Sequence, residues 1–367
     1  MNPTMLLRRT TSKALLATGL AASLALASGC AKSEDDGAKD TSASSGKGDS
    51  GQVVATPSAA GDAKSCTIGQ FGGKKLDIKG ATIGFSQSEK EANPFRIAET
   101  ASMKAEAEKR GLKLLTANAQ SQFSKQISDV QDLLAKGADL LVIAPLNSDG
   151  WGPVLRTARA KHIPIVTVDR KINATPCKDY VSFIGSDFVQ QGKRAADRMI
   201  ASTGGKGKLA ILLGSAGNNV TTERTKGFKD ELKAKAPGLK VVFEQTGDFV
   251  REKGQQVTEQ LIQSNPDIAG IYAENDEMGL GAVNALKGAG KKAGSVKIVT
   301  VDGTRNGVQQ IVDGWMSGDV ESNPRFGPLA FETLDNFTKG QKVAQDIIIQ
   351  DSEYSKDNAK SDIGKAF

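Results

Sequence analysis

Runs of apolar, β-branched residues alternate with helix-like segments along most of the chain. Three such runs occupy residues 163–170, 270–276 and 296–303. Each has the composition of a parallel strand that is buried on both faces, and a helix-like segment follows each one. Pro94 near its start and Gly111 just past its end mark one of these helices. The alternation predicts an α/β fold with two doubly wound lobes, each built on a parallel sheet.

The predicted strands end in polar or charged side chains. Asp169 and Arg170 end the first of the three runs, Asn275 and Asp276 end the second, and Asp302 lies near the end of the third. The carboxyl ends of parallel strands meet at a crevice where ligands bind. Carboxylates that accept hydrogen bonds, together with an amide and a guanidinium, suit a neutral molecule rich in hydroxyl groups. The pattern therefore favours a sugar as the ligand.

The length of the body predicts two lobes. From Ile68 onward the chain has about 300 residues, which is more than one compact core usually accommodates. We expect a first lobe of residues 68–187 plus 322–344 and a second lobe of residues 188–321 plus 345–367. The chain then crosses between the lobes more than once and forms a multi-strand hinge, with the ligand cleft between the lobes.

The first 29 residues have the features of an export signal. Arg8, Arg9 and Lys13 precede an apolar stretch that is too short to span a membrane. Residues 27–30 look like a lipobox, in which small residues precede a cysteine that becomes diacylated. We predict that Cys30 carries a lipid that anchors the chain to the outer side of the cell membrane. The alternative is an ordinary secretory signal that is cleaved nearby.

Residues 30–67 are predicted to be a flexible tether, because Ser, Gly, Ala, Asp and Lys offer little apolar surface to bury. The formal net charge of +6 falls to about +3 once the three cations of the signal are removed. The body has no basic cluster with interleaved aromatic residues. Nucleic-acid binding is therefore not expected.

The cysteine content predicts one disulfide. If Cys30 carries the lipid, Cys66 and Cys177 remain, and in an exported protein two remaining cysteines most simply pair with each other. Two free thiols are the alternative. We expect no metal site, because the chain has no CxxC or HExxH motif and only one histidine, His162. We expect no nucleotide cofactor either, because residues 87–90 after the first predicted strand lack a glycine fingerprint.

Several segments of the body resemble a known family, the type I periplasmic sugar-binding proteins of ABC importers. Within it, the chain is most similar to the ribose- and galactofuranose-binding branch. The resemblance extends from about Ala81 to Phe367. The segments that carry it are Asn93-Pro94-Phe95, Val168-Asp169-Arg170, Gly214-Ser215-Ala216-Gly217 with Glu223-Arg224 and Gly227-Phe228, Gly247-Asp248-Phe249, Asn275-Asp276-Glu277-Met278 and Val301-Asp302-Gly303.

The resemblance implies roles for the polar residues. Asp169 and Arg170 should hold adjacent sugar hydroxyls, the carboxylate accepting and the guanidinium donating. Arg224 should approach from the second lobe, and Asn275 and Asp302 should hold the opposite edge of the ring. Each has a structural alternative: the aspartates could cap the segments that follow them, and Arg224 could form an ion pair on a solvated helix.

The resemblance also implies roles for two aromatic residues and one acid. Phe95 and Phe249, one from each lobe, should lie against the apolar faces of the sugar, although either could be a core residue. Glu321 stands where the ribose branch has a ligand-binding amide. Asp276 is expected to be structural, as the cap of the helix that begins near Met278.

Two departures from the ribose pattern bear on specificity. Arg96 follows Phe95 where ribose-binding proteins have a second aromatic residue, and Ala144 replaces an asparagine. Arg96, Trp151 and the segment 84–87 instead resemble the galactofuranose branch, so a furanose-form hexose is favoured over ribose. Trp151 could alternatively fasten its helix to the sheet. The predicted ligand-binding set is Gln87, Asn93, Phe95, Arg96, Trp151, Asp169, Arg170, Arg224, Phe249, Asn275, Asp302 and Glu321.

The expected mechanism is capture by closure. A sugar bridges the lobes, the hinge bends near residues 187–188 and 321–322, and the closed state uses both sets of contacts. The resemblance implies a monomer that delivers its sugar to the membrane permease of an ABC importer. A sensory module that signals to a membrane receptor is the first alternative.

A glycoside hydrolase is the alternative from another class. It would use two of four carboxylates, and one of them would need a raised pKa opposite its partner. The acidic residues stand beside Arg or Asn, which favours ionised hydrogen-bond acceptors, so we expect a binding protein and no enzyme. The four carboxylates are those of Asp169, Glu223, Asp302 and Glu321.

Overall fold

The computed structural model describes residues 64–367. In chain order, its strands are β1 (Ser65–Cys66), β2 (Thr82–Gln87), β3 (Lys113–Asn118), β4 (Leu140–Ile143), β5 (Ile165–Val168), β6 (Ser182–Gly185), β7 (Gly207–Leu213), β8 (Leu239–Thr246), β9 (Ile268–Ala273), β10 (Lys297–Asp302), β11 (Gly318–Glu321), β12 (Val343–Ala344), β13 (Asp346–Ile348) and β14 (Glu353–Tyr354). The predicted export signal and the predicted lipid on Cys30 lie outside the described residues.

Helices follow most of the strands. They are α1 (Ile68–Phe71), α2 (Pro94–Arg110), α3 (Phe123–Ala135), α4 (Gly152–Ala160), α5 (Phe188–Thr203), α6 (Asn219–Lys235), α7 (Arg251–Ser264), α8 (Asp276–Gly288), α9 (Arg305–Val312), α10 (Gly327–Thr338) and α11 (Ala359–Asp362). Among residues 64–367, no helix is long and apolar enough to cross a membrane.

Two six-stranded sheets form the two α/β lobes. The first has the strand order β13-β6-β5-β4-β2-β3, and all of its strands are parallel. The second has the order β14-β11-β10-β9-β7-β8. It is parallel except for its edge, where β14 pairs antiparallel with β11. The predicted fold of two doubly wound, parallel-sheet lobes is confirmed.

Local sequence explains why these elements form. Every residue of β4 and β5 is buried, as expected for strands covered by helices on both faces. Helix α2 begins at Pro94, and the Asn93 side chain accepts a hydrogen bond from the Phe95 amide at 2.9 Å. It ends at Arg110, and the following Gly111, with a φ of 66°, closes the helix in the left-handed conformation. Both predicted boundaries of this helix are confirmed.

A disulfide fastens the first described residues to the first lobe. Cys66 and Cys177 are bonded, with their Cα atoms 5.1 Å apart, so the predicted pairing is present. Strand β1 pairs antiparallel with β12, and Cys66 is completely buried. The predicted tether therefore extends too far: residues 65–67 belong to the folded body, because the main-chain pairing and the buried cysteine fix them.

The chain passes between the two sheets three times, after β6, β11 and β13. The first two crossings lie where the hinge was predicted. The third lies later than predicted, because β13 pairs with β6 and belongs to the first sheet. Ile347 and Ile349 pack against the core of the first lobe, which explains why this short strand stays there. Residues 346–348 are therefore not part of the second lobe.

Removing the disulfide should destabilise the protein. The bond closes a loop between positions separated by 111 residues, and its loss returns that chain entropy to the unfolded state. The double variant Cys66→Ala, Cys177→Ala should lose about 2–5 kcal/mol of unfolding free energy, measured by urea denaturation. A thiol reductant should lower the wild-type midpoint to that of the variant and leave the variant unchanged. Equal midpoints for the oxidised wild type and the variant would contradict this expectation.

Candidate functional site

A small cavity lies between the carboxyl ends of the two sheets. Both lobes contribute to its wall. The lining residues are Glu89, Asn93, Phe95, Arg96, Asp169 and Arg170 from the first lobe, and Val220, Arg224, Phe249, Asn275 and Asp302 from the second.

The structure brings most of the predicted ligand-binding residues together in this cavity. Gln87, Trp151 and Glu321 are the three members of the predicted set that do not line it. Glu89 and Val220 line it and were not in the predicted set. The sequence could have identified Glu89 as a site residue. It follows the carboxyl end of β2, and side chains just after a parallel strand lie at the crevice.

Buried ion pairs organise the first-lobe wall. One terminal nitrogen of Arg96 lies 2.8 Å from the Asp169 carboxylate and 2.9 Å from that of Glu99. Its Nε atom lies 3.0 Å from Glu89, whose other oxygen lies 2.8 Å from Arg170. The two guanidinium groups are almost completely buried, 3% exposed for Arg96 and 2% for Arg170. Planar guanidinium groups therefore hold the carboxylates in fixed orientations.

Two carboxylates of this wall have opposite pKa shifts: the pKa of Glu89 is lowered, and that of Glu99 is raised. Burial alone would raise the pKa of Glu89, but the guanidinium groups of Arg170 and Arg96 lower it to about 2. Burial raises the pKa of Glu99 to about 7, against the opposing effect of Arg96. Glu89 is therefore a permanent anion, whereas Glu99 changes its charge near neutral pH.

Gln87 supports this wall from behind. Its side-chain amide donates hydrogen bonds to Glu99 at 2.9 Å and to the Thr100 hydroxyl at 3.1 Å. Gln87 is 1% exposed and points into the lobe. It orients Glu99 and, through Glu99, the guanidinium of Arg96.

Trp151 and Glu321 lie in other parts of the structure. The Trp151 ring packs edge-on against Phe123, with 5.5 Å between the ring centroids, and its Nε1 atom donates to the Asn147 carbonyl at 2.8 Å. Trp151 therefore fastens the start of its helix to α3 and to the loop after β4, a structural role close to the alternative that the sequence left open. Glu321 ends β11 and accepts a hydrogen bond from the Ser352 amide at 2.8 Å, so it belongs to the hinge.

Arg224 connects the second-lobe wall to the hinge. Its Nε atom donates to the side chain of Gln191 at 2.9 Å, and a terminal nitrogen lies 3.7 Å from Asp302. Gln191 in turn donates to the Glu321 carbonyl at 3.2 Å and to the Asp351 carboxylate at 2.9 Å. A chain of hydrogen bonds therefore links the Arg224 guanidinium in the cavity wall to residues at two of the three crossings.

Asn275 has two functions in the second lobe. Its side-chain oxygen accepts from the Met278 amide at 3.0 Å and caps α8, and its nitrogen donates to the Phe249 carbonyl at 3.3 Å. The sequence assigned this cap to Asp276, and that assignment is wrong. Asp276 is the first residue of the helix, and its carboxylate instead accepts from Thr304.

The two strand-end aspartates have unusual backbone conformations. Asp169 has a φ of 64° and Asp302 a φ of 143°, values that residues with a side chain seldom adopt. Such conformations persist where the surrounding structure fixes them, and they concentrate at functional sites. Burial raises the pKa of Asp302 well above its ordinary value, and the Arg224 guanidinium opposes this shift.

Aromatic rings from both lobes complete the cavity. Phe95 stands in edge contact with Phe367, at 6.0 Å between centroids, and Phe249 lies under the Arg170 guanidinium at 5.7 Å. The cavity thus combines carboxylate acceptors, guanidinium donors and apolar ring surfaces. This combination fits a small molecule with hydroxyl groups on its edges and C–H groups on its faces.

The lobes touch each other at the rim of the cavity. The Ser148 amide of the first lobe donates to the Gly217 carbonyl of the second at 2.9 Å. The Lys171 amide donates to the Asn219 side chain at 3.0 Å. Asn219 is the first residue of α6 and directly precedes Val220 in the cavity wall. The lobes are therefore closed in this structure.

The four carboxylates considered for a glycoside hydrolase are not gathered in one place. Of the four candidate carboxylates, only those of Asp169 and Asp302 line the cavity. Asp169 forms a short ion pair with Arg96, and Asp302 lies beside Arg224. A hydrolase also needs a carboxyl with a raised pKa at a set distance from its partner. Burial raises the pKa of Asp302, so the family comparison, and not the pKa values, argues against catalysis.

Comparisons with known proteins agree with this architecture. The periplasmic binding protein domain family matches residues 83–342. The chain is 34% identical over 290 residues to the galactofuranose-binding protein YtfQ of Escherichia coli K12, covering 77% of this chain and 91% of that protein. It is 38% identical over 268 residues to the ribose import binding protein RbsB of Bacillus subtilis 168, covering 72% of this chain and 84% of that protein.

A solved structure has a similar fold. It is the periplasmic binding protein component of the arabinose ABC transporter from Shewanella sp. ANA-3, bound to α- and β-L-arabinofuranose. The TM-score is 0.74 at 35% sequence identity, and the match covers 77% of this chain and 95% of that one.

Replacing Arg96 should destabilise the folded protein. Arg96→Met keeps the apolar stem but leaves Glu99 and Asp169 without their shared cation, which costs about 3–5 kcal/mol of unfolding free energy for a buried ion pair. The measurement is urea denaturation at pH 7. Lys125→Ala is the matched control, because its ion pair with Asp129 is exposed and contributes at most about 1 kcal/mol. Equal losses in the two variants would show that the buried pairs do not hold the wall together.

Proposed function

Because the chain belongs to the family of periplasmic binding proteins, we propose that it captures a monosaccharide between its lobes and delivers it to the permease of an ABC importer. The proposed sugar is galactofuranose or a similar furanose or hexose. The observation that carries this proposal is a single cavity to which both lobes contribute charged donors, charged acceptors and an aromatic ring. The family consists of transport-linked binding proteins, and the chain is not an enzyme.

The proposed sugar contacts follow from the cavity wall. Asp169 and Asp302 accept from sugar hydroxyls, and Arg170 and Arg224 donate to them, while Asn275 contacts the opposite edge of the ring. Each hydrogen bond to a charged group contributes about 1.5–3 kcal/mol, and an unpaired buried charge costs a similar amount. A sugar that lacks one matched hydroxyl should therefore bind at least about tenfold more weakly.

The ion pairs of Arg96 support a furanose as the cargo. Arg96 stands where the ribose pattern has a second aromatic residue, and it links Asp169 to Glu89 and Glu99. This replaces an apolar ring surface with fixed charges. Relatives named for galactofuranose and arabinofuranose add support for this class of sugar, whereas the relative named for ribose keeps ribose as the main competitor.

Closure is the proposed mechanism of capture. The first lobe holds Asp169 and Arg170 and the second holds Arg224 and Asp302, so a bound sugar gains both sets of contacts only when the lobes meet. The rim contacts of Asn219 and Gly217 then add to the closed state. Opening requires rotation about the three crossings and breaks these rim contacts.

The family places the chain outside the cytoplasm. We further propose that a lipid on Cys30 anchors it to the membrane and that it acts as a monomer. The support for the anchor is the lipobox-like sequence of residues 27–30. The permease partner follows from the proposed transport function.

Calorimetric titration tests the proposed cargo. The protein is first unfolded and refolded to remove any sugar carried through purification. It is then titrated with galactofuranose, galactose, L-arabinose, ribose and glucose, and we expect one-to-one binding of a furanose or hexose from this set. A folded protein that binds none of the five would refute the proposed sugar class.

Replacing Asp302 should weaken binding of the sugar that this titration selects. Asp302→Ala removes a hydrogen-bond acceptor and the neighbour of Arg224 in the cavity wall, and should lower the affinity about tenfold. Trp151→Phe is the control, because its ring packs away from the cavity and the affinity should not change. Equal losses in the two variants would place Trp151 among the ligand contacts and refute the assignment of the site.

Replacing Asn219 should weaken binding without removing a residue of the cavity wall. Asn219→Ala removes the acceptor of the Lys171 amide, a neutral hydrogen bond that contributes about 0.5–1.5 kcal/mol to the closed state. The affinity should fall about twofold to tenfold, mainly through faster dissociation measured by stopped-flow fluorescence. Asn284→Ala, on the exposed side of α8, should leave the dissociation rate unchanged. An unchanged rate for Asn219→Ala would show that this rim contact does not hold the lobes closed.

A further inference from the structure

Two aspartates lie completely buried behind Asp302. Asp276 is the first residue of α8, and Asp319 lies on β11, next to the strand that ends in Asp302. Both are 0% exposed. Neither lines the sugar cavity. An isolated carboxylate in such a position is costly, so the hydrogen bonds of both side chains need to be accounted for.

Main-chain and hydroxyl donors satisfy one oxygen of each aspartate. Asp276 Oδ2 accepts from the Thr304 amide at 2.7 Å and from the Thr304 hydroxyl at 2.6 Å. Asp319 Oδ1 accepts from the Gly303 amide at 3.2 Å. The other oxygens, Asp276 Oδ1 and Asp319 Oδ2, are buried, and no donor group of the described residues satisfies either of them. The two side chains are within hydrogen-bonding reach of each other.

Two carboxylates can bond to each other only through a proton. In a buried site, two neighbouring carboxyl groups do not both ionise. Burial raises the pKa of Asp319 well above its ordinary value, and the charges of Asp276 and Asp302 raise it further. Burial also raises the pKa of Asp276, but the hydrogen bonds from the amide and hydroxyl of Thr304 oppose that rise. Asp276, which accepts two hydrogen bonds where Asp319 accepts one, is thus the member that ionises.

We propose that Asp319 is a neutral carboxylic acid that donates a hydrogen bond from Oδ2 to Oδ1 of an ionised Asp276, and that this pair positions Asp302 for the sugar. This hydrogen bond gives a partner to both oxygens that otherwise have none, Asp276 Oδ1 and Asp319 Oδ2. Its positioning role rests on the proposed function, because it requires Asp302 to be a ligand contact. The protonation state itself does not depend on that function.

The pair acts on the two residues that follow Asp302. Asp319 holds the Gly303 amide, and Asp276 holds both the amide and the hydroxyl of Thr304. The same hydroxyl accepts from the Gly307 amide at 3.1 Å and caps α9. The turn therefore cannot relax, and Asp302 keeps its unusual φ of 143°. With the proton in place, the pair carries one negative charge behind Asp302 and not two.

Other titratable groups face the pair from the elements packed around it. Gly307 of α9 packs directly on Asp276, and Gly318 next to Asp319 packs on the side chain of Arg198 from α5. Gly303 lies against Glu321 and Tyr354. The titratable residues that these contacts bring near the pair are Asp302, Glu321, Tyr354 and Arg198.

The replacement Asp319→Asn tests the proposed proton. An amide at this position can accept from Gly303 and donate to Asp276 as the neutral acid does, but it does not titrate. In the wild type, the folded protein keeps a proton that the unfolded chain loses above a pH of about 4, so folding stability falls as the pH rises. The stability of Asp319→Asn should not fall with pH for this reason, because its amide does not titrate. The ratio of its folding constant to that of the wild type should rise at least about tenfold between pH 4.5 and pH 8 in urea denaturation.

The replacement Asp276→Asn tests which aspartate holds the proton. It moves the negative charge to Asp319, which has fewer donors, so this variant should be less stable than Asp319→Asn at pH 8. A pH-independent ratio for Asp319→Asn, or failure of that variant to fold, would refute the shared proton. Greater stability of Asp276→Asn would refute the assignment to Asp319.

A spectroscopic readout tests the positioning of Asp302 without any ligand. In protein labelled with carboxyl-¹³C aspartate, the Asp302 resonance is identified by its loss in Asp302→Asn. Asp319→Ala should shift this resonance and Asp319→Asn should leave it in place. An Asp302 resonance that is unchanged in Asp319→Ala would refute the positioning role. Because none of these measurements uses a sugar, their failure is distinguishable from failure of the calorimetric test of the proposed function.

Discussion

The cost of burying charge governs the construction of this site. A buried guanidinium or carboxylate is stable only when oppositely charged or hydrogen-bonding groups surround it. Removing one charge from such a cluster leaves its partners buried without compensation for their lost hydration. Arg96 therefore cannot be considered apart from Glu89, Glu99 and Asp169, which it contacts within 3.0 Å. The ligand-facing groups are held in place before a ligand arrives, which reduces the entropy lost on binding.

The second lobe meets the same requirement through the hinge. Arg224 is held by Gln191, and Gln191 is held by groups at two of the crossings between the lobes. A rotation of the lobes about the hinge therefore changes the surroundings of a cavity cation directly. Closure and formation of the site are thus one structural event, because the hinge and the cavity wall share hydrogen bonds.

The sequence predicted the features that depend on local order along the chain. Apolar runs followed by Asp169, Asn275 or Asp302 identified the strands and the edge at which their side chains meet. It could not predict whether a polar side chain near that edge turns toward the cavity or into a lobe, so Gln87, Trp151 and Glu321 were included in the site. The position of β13 depends on pairing with a strand more than 150 residues earlier, and no local pattern in residues 346–348 reports it.

The bond between Cys66 and Cys177 has a mechanical consequence. Strand β1 and this bond fix the entry of the chain to the first lobe, next to β12. A force applied through the segment before residue 64 therefore acts on the Cys66–Cys177 bond within the first lobe and not on the hinge. The first lobe becomes the stationary half of the molecule relative to that attachment, and the second lobe carries the whole displacement of opening.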